Sequence, residues 1–260
     1  MTRAQALLWS WAAITLALCL FFGPSWLTLG LPTLIFLILM HDGVFRPASP
    51  WFMPVVTHGP RDGQKVALSF DDGPDVEVTP QVLDALAEYQ AKASFFVIGQ
   101  HVEAEPAITQ RIVAEGHELG NHSYAHSRLL NFRGEQGMRA EIEKAMQVLR
   151  SYQPVPWPPL YRPPVGLKNP PLAKVVQTLG LKVIVWSLHS RDTRSKDPQR
   201  IADRVLAKVK PGDIILMHDG HDLPSGSRPT TAPALRLILA GLQARGLQVV
   251  TVSSLLADTP

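Results

Sequence analysis

The chain has 260 residues, 46% hydrophobic and 18% charged, with 25 Lys and Arg against 22 Asp and Glu for a net charge of +3. That length supports a sizeable buried core and excludes a disordered chain or a minimal scaffold. The weak positive balance, without basic runs, gives no ground for a nucleic-acid partner, and the single cysteine, Cys19, excludes a disulfide framework and a cysteine-rich zinc site.

The first predicted elements are apolar. No charged side chain occurs from Ala4 to Met40, and the stretch divides into two runs, about 4–22 and 26–40, split by Gly23, Pro24 and Ser25. The first approaches the roughly 20 residues that cross a bilayer, and the second, interrupted by Gly30 and Pro32, suits a kinked or partly inserted helix. Residues 1–40 are therefore expected to anchor the chain as a membrane helical hairpin, with Trp9, Trp11, Trp26 and Trp51 available at the headgroups. A cleaved signal peptide is the rival reading, weakened by an n-region with only Arg3 and by apolar sequence that continues past the expected cleavage point. The expected location is a membrane, the inner membrane of a bacterium. Arg3 precedes the runs and Arg46, Arg61 and Lys65 follow them, so two spans put both ends in the cytoplasm and one span puts them on opposite sides. The facing of the remainder stays open, and no protein partner is inferable.

Residues 41–64, with Pro47, Pro50, Pro54, Gly59, Pro60 and Gly63, read as an irregular linker before a domain of residues 65–257. Strand-like runs at 66–70, 93–98, 183–188, 213–217 and 247–252 alternate with amphipathic stretches at 79–89, 106–115, 136–152, 171–179, 199–208 and 232–245. This alternation predicts an α/β domain with parallel strands, open or closed into a barrel. Eight prolines between 154 and 171, around Arg162 and Gly166, predict a rigid loop.

Five polar clusters fall at or just after strand ends, where an α/β domain gathers its ligands. Ser69-Phe70-Asp71-Asp72-Gly73-Pro74 places two carboxylates on diverging side chains, so that one can hold a metal while the other handles protons. His122-Ser123-Tyr124-Ala125-His126 carries two imidazoles four apart, a spacing that faces both the same way on one helical turn. Together with Asp72 they leave a position open for water, the layout of a hydrolytic zinc site. Arg162-Pro163-Pro164-Val165-Gly166 holds an arginine in a stiff loop, where it can fork onto a carboxylate and keep it ionised. Trp186 and Asp192 flank the end of the run at 183–188, and Ile214-Ile215-Leu216-Met217-His218 delivers a histidine at a strand end. Each cluster alone has a bland reading as a turn, a surface histidine pair or a solvent arginine; their joint position at strand ends weighs against it.

In these ordered motifs the chain resembles the polysaccharide deacetylases with a NodB-homology domain, carbohydrate esterase family four, over about residues 65–256. The resemblance implies a distorted (β/α) barrel, here preceded by the apolar hairpin. It implies that Asp72, His122 and His126 bind one divalent metal ion, zinc first, with cobalt or nickel as alternatives. By the same resemblance Asp71 is the general base, Arg162 orients it, and His218 is the general acid, paired with Asp192. The backbone N–H of Val165 would receive the oxyanion, and Trp186 and Leu216 would belong to the substrate pocket. Two departures stand out: Val165 and Thr193 occupy positions where many members carry an aromatic residue and a tryptophan, which reshapes the sugar pocket but spares the metal and proton-transfer groups.

The implied activity is removal of N-acetyl groups from an amino-sugar glycan, membrane-associated or lipid-linked. Alternatives are an N-deformylase or O-acetyl esterase with the same metal site, or a non-catalytic glycan-binding membrane module. The remaining histidines, His41, His58, His101, His117, His189 and His221, match no motif position and read as structural, with His221 near a pocket rim.

Overall fold

A computed structural model of the chain describes residues 3–153, 159–221 and 228–257; residues 1–2 of the expected anchor and 154–158 of the expected proline-rich loop lie outside the described residues. Helix α1 (Arg3–Phe22) is followed by a π-helical turn at Trp26–Gly30 and by α2 (Leu31–Phe45). Ser25 opens that turn: its hydroxyl accepts from the Thr28 amide at 3.2 Å, while Thr28 Oγ1 accepts from the Ser25 amide at 2.8 Å. Two helical stretches, Gln5–Phe22 and, with the π-helical turn included, Trp26–Phe45, are long and apolar enough to cross a membrane, and Trp9, Leu20, Phe21, Phe22, Trp26 and Leu34 stand exposed on them. An apolar surface of this extent marks a partner or a lipid phase. Helix α2 runs five residues past the charge-free stretch, because Asp42 turns its carboxylate outward onto Ser49 Oγ at 2.7 Å and Arg46 Nε at 2.8 Å.

The rest alternates as expected: β1 (Lys65–Asp71), α3 (Val78–Glu88), β2 (Ser94–Val97), α4 (Gly99–Ala104), α5 (Pro106–Ala114), β3 (Glu118–Asn121), α6 (Gly134–Arg150) and β4 (Leu160–Tyr161). Then come α7 (Pro170–Thr178), β5 (Lys182–Val183), β6 (Leu188–His189), α8 (Pro198–Leu206), β7 (Ile214–His218), α9 (Thr231–Ala244), β8 (Gln248–Val250) and α10 (Val252–Ala257). The strands run parallel in the order β5-β4-β3-β2-β1-β7-β6, with β8 on the first residues of β1, and curl into a half-barrel flanked by helices. The expected strand at 183–188 is two short ones, β5 and β6, lying at opposite ends of this order. Between them the supposed linker takes part: Val56 bridges Ile184 and His58 bridges Asp213.

Period-two alternation decides what faces the barrel interior. On β1, Val66, Leu68 and Phe70 pack outward in the main core beneath the helices, with Phe95 and Val97 of β2 and Ile215 and Met217 of β7. The intervening residues therefore turn inward. Ala67, Phe96 and Ile214 fill the lower interior with Leu255 of α10 beneath them, and the same parity carries Ser69, Asp71, Leu216 and His218 to the upper end.

Candidate active site

The site begins where β1 stops. Asp71 is the last strand residue and Asp72 follows in the left-handed region at φ 73°, so the two carboxylates part company and both stay buried. Asp72 points at two imidazoles: its Oδ1 lies 3.5 Å from His122 Nε2 and 3.4 Å from His126 Nε2. The ligand atoms of Asp72, His122 and His126 all lie within 4.8 Å of one another, and all three residues are buried. The histidines do not share the helical turn that their spacing predicts. They sit in an irregular loop after β3 in which Ser123 and His126 take φ of 68° and 47°, and this bend brings the rings to 4.7 Å between centroids. Asn121 supports the loop by accepting from the Ser123 amide at 2.7 Å.

These donors fit a divalent metal ion. One carboxylate oxygen and two imidazole nitrogens form an open three-ligand set, and the outer contacts orient them. His122 Nδ1 donates to the Arg162 carbonyl at 2.7 Å, leaving Nε2 directed at Asp72. His101 Nδ1 donates to the Asp72 carbonyl at 2.8 Å. Burial alone would raise the Asp72 carboxyl, but the hydrogen bond and charge of His122, then the charges of His218 and His126, hold it well below the ordinary carboxylate range.

Asp71 belongs to a second unit. Arg162, fully buried at the end of β4, donates from Nη1 to Asp71 Oδ1 at 2.5 Å and from Nη2 to Ser69 Oγ at 3.0 Å. Its Nε reaches the Ile184 carbonyl at 3.2 Å, and the guanidinium plane lies 3.9 Å from the centre of the Phe96 ring. Every direction in which this arginine could turn is thus taken. Asp71 Oδ2 is left facing the metal donors, 3.7 Å from His122 Nε2.

Across the barrel mouth, His218 ends β7. Its Nδ1 meets Asp192 Oδ1 at 3.0 Å and its amide donates to Asp192 Oδ2 at 2.7 Å. Ser190 Oγ and the Thr193 amide complete the Asp192 shell at 2.9 and 3.0 Å. Burial works against the imidazolium, yet the charge and hydrogen bond of Asp192 prevail and raise His218 above its ordinary value. Asp192 is lowered in return, its burial outweighed by His218.

The loop after Arg162 puts Val165 at φ 48°, half exposed, beside Gly166 at φ 73°. A β-branched residue there costs about 1–3 kcal/mol and is found mainly where function requires it. Trp186 lies half-buried at the same rim, 5.8 Å from the His189 ring centre, and Leu216 is buried two residues before His218.

His189, His101 and Arg228 join the site without belonging to any motif. His189 lies between Trp186 and His218, 5.8 Å from each, edge-on to the first and tilted to the second, and burial followed by the His218 charge pushes its imidazole down to about 4, so it is neutral. Arg228 Nη2 approaches Asp72 Oδ2 at 3.5 Å. For His189 a signal existed, since it shares the strand end with Asp192; His101 and Arg228 arrive from a helix start and a connection whose paths the sequence does not reveal.

Residues 58–184 match the polysaccharide deacetylase family. A peptidoglycan-N-acetylglucosamine deacetylase of Bacillus cereus is 37% identical over 199 residues, covering 76% of this chain and 90% of that protein. A chitooligosaccharide deacetylase of Bradyrhizobium is 36% identical over 195 residues, covering 72% of this chain and 88% of the relative. The crystal structure of the Bc1960 peptidoglycan N-acetylglucosamine deacetylase superposes with a TM-score of 0.72 at 33% identity, covering 78% of this chain and 92% of that one. Shared sequence along nearly the whole of such relatives and a shared barrel leave one conclusion: the chain belongs to the polysaccharide deacetylase family and is an enzyme acting on the N-acetyl amide bonds of glycans.

Proposed function

We propose that this deacetylase is a membrane-anchored, metal-dependent enzyme that hydrolyses N-acetyl groups of N-acetylglucosamine-containing glycans, with one divalent ion, zinc first, held by Asp72, His122 and His126. The observation that carries the reading is the pairing of that donor set with two separately held proton-transfer groups, Asp71 on Arg162 and His218 on Asp192. When bound, the ion polarises the amide carbonyl and acidifies the attacking water.

The protein's own groups do the rest. Asp71 takes the proton of the attacking water at Oδ2, because Oδ1 is held by Arg162. The developing oxyanion is met by the Val165 N–H, presented by the left-handed bend. His218, tied through Nδ1 to Asp192, delivers a proton from Nε2 to the leaving nitrogen. Water adds across the C–N bond, and acetate and a free amino sugar leave. His189, neutral and tilted against His218, adds no competing charge.

Names of the relatives support N-acetylglucosamine in peptidoglycan or chitooligosaccharides as the substrate class. Two facts support an anchor kept in the mature protein: the hairpin is exposed and apolar, and Met40 and Val44 of α2 pack onto a core with Phe52, Met53 and Leu130. A pocket held so near the hairpin favours glycans at the membrane surface, including lipid-linked ones.

The test uses the full chain in detergent with zinc, offered chitooligosaccharides, peptidoglycan fragments and matched N-formyl and O-acetyl saccharides, with acetate and formate release followed. Acetate from N-acetyl substrates, abolished by a chelator and restored by zinc, is expected. Undiminished turnover after chelation, or release from the formyl or ester substrates alone, refutes it. Rates unchanged by a lipid carrier on the glycan count against a lipid-linked substrate.

A further inference from the structure

Lys168 is fully buried, three residues after Val165, and no proton-transfer or metal role falls to it. Its ammonium is spent on main-chain carbonyls: Nζ donates to Arg46 O at 2.9 Å, to Ser49 O at 3.0 Å and to Pro47 O. Its amide also reaches Val44 O at 3.4 Å. These four oxygens belong to the last turn of α2 and the bend that leaves it, where a helix has unpaired carbonyls and a negative dipole end. A cation from a distant part of the chain thus closes the end of the hairpin.

That bend also touches the catalytic rim. Pro47 packs on Gly166 so closely that a Cβ there would lie 2.7 Å from Pro47 Cγ and 3.3 Å from Trp186 Cη2. The bend is itself rigid: Ser49, wholly buried, donates its amide to Arg46 O at 2.9 Å and its hydroxyl to Asp42 at 2.7 Å. Burial, with the Arg46 charge against it and Asp42 in favour, lowers the Lys168 ammonium to about 8, as befits a cation held by dipoles.

From this geometry we infer that Lys168 is a positioning residue: by clamping the hairpin exit at residues 44–49 against the loop at 163–166, it holds the Val165 N–H in place and fixes the pocket mouth relative to the membrane anchor. The inference rests on the reading of Val165 as an oxyanion donor for its kinetic consequence, but not for its structural one.

The test compares the full chain with Lys168→Met, which keeps the stem and removes every side-chain donor, and Lys168→Gln, which restores part of the hydrogen bonding. Amide hydrogen exchange, zinc affinity and deacetylation of a chitooligosaccharide are measured in the same detergent. In Lys168→Met, exchange in peptides covering 44–49 and 163–167 should rise by about tenfold or more while β1 stays protected. kcat should fall about tenfold, short of the 10²–10³ for outright loss of an oxyanion donor, with KM and zinc affinity little changed. Lys168→Gln, the milder variant should Met impair folding, should lie between. Unchanged exchange at 163–167 in either variant overturns the inference, as does a kcat loss matched by loss of zinc. Raised exchange with full kcat overturns the positioning role. Failure of the wild-type chain to turn over any glycan would sink the proposed function instead, since exchange needs no turnover.

Discussion

Asp71→Asn isolates the proposed base from everything that holds it. The amide keeps an oxygen for Arg162 Nη1, now 2.5 Å from Oδ1, but cannot accept a proton from water at the other position. Loss of general-base catalysis is worth about 10²–10⁴ in rate, roughly 3–5 kcal/mol of barrier. Folding should feel the change too, because Arg162 is fully buried and loses its counter-charge. Breaking a buried pair costs about 3–5 kcal/mol, and the retained hydrogen bond favours the lower figure. At roughly 2–4 °C per kcal/mol for a domain of this size, the melting temperature should drop by about 6–12 °C. Zinc affinity should change less than about tenfold, the floor for loss of an outer partner, since Asp71 lies outside the ligand set. The assay is single-turnover acetate release at saturating zinc, beside calorimetry and competitive zinc titration. Near wild-type turnover in a folded, zinc-loaded Asp71→Asn refutes the assignment of the base. Loss of zinc along with activity refutes the division of labour between the two aspartates.

His126→Ala removes one of the three proposed ligands and should weaken zinc binding by at least about 100-fold, beyond what an outer partner contributes, as read by chelator competition. Gly220→Ala would place a Cβ 2.2 Å from the Asp72 carbonyl oxygen; pushing that ligand aside should cost about tenfold or more in zinc affinity, measured in the same titration. Asp192→Asn tests the acid. His218 is raised in the folded protein, so its protonated form and the stability it contributes are complete below pH 6.5 and are lost as pH climbs through the raised value. With the Asp192 charge gone, burial dominates and the alkaline limb of the kcat profile should move to lower pH; an unmoved limb would show that His218 is not the titrating acid.

How much of this was legible follows from where the signals lie. Strands β1, β2 and β7 are mostly apolar, and Asp71 and His218 at the ends of β1 and β7 sit where the parity of the strand sends them. Glu118–Asn121 escaped notice because β3 has a single large apolar residue, and its glutamate is buried against Ser94 Oγ at 2.6 Å, a tertiary rescue that no local pattern records. β4 is two residues long among prolines, held only by its neighbours. The spacing of His122 and His126 pointed to a helical turn, yet two left-handed residues achieve the same convergence by another path. Lys168 had no sequence signal, since its acceptors lie some 120 positions away and are all backbone.

Under the proposed mechanism, the two ion pairs would keep the base and the acid ready together in one barrel. A carboxylate and an imidazole facing a common centre tend to neutralise each other by sharing a proton, and each must be claimed by something else first. Arg162 claims one oxygen of Asp71 from inside the barrel, and Asp192 claims Nδ1 of His218 from beyond the sheet end, which leaves Asp71 Oδ2 facing His122 at 3.7 Å and His218 with Nε2 as its second ring nitrogen. The two supports come from different strand ends, β4 and β6, with no shared residue. An Arg162 variant should therefore cripple proton removal while leaving the His218 limb of the pH profile in place, and an Asp192 variant should do the reverse. A parallel barrel makes such separate supports available, because different strand ends bring Asp71, Arg162, Asp192 and His218 to a common mouth.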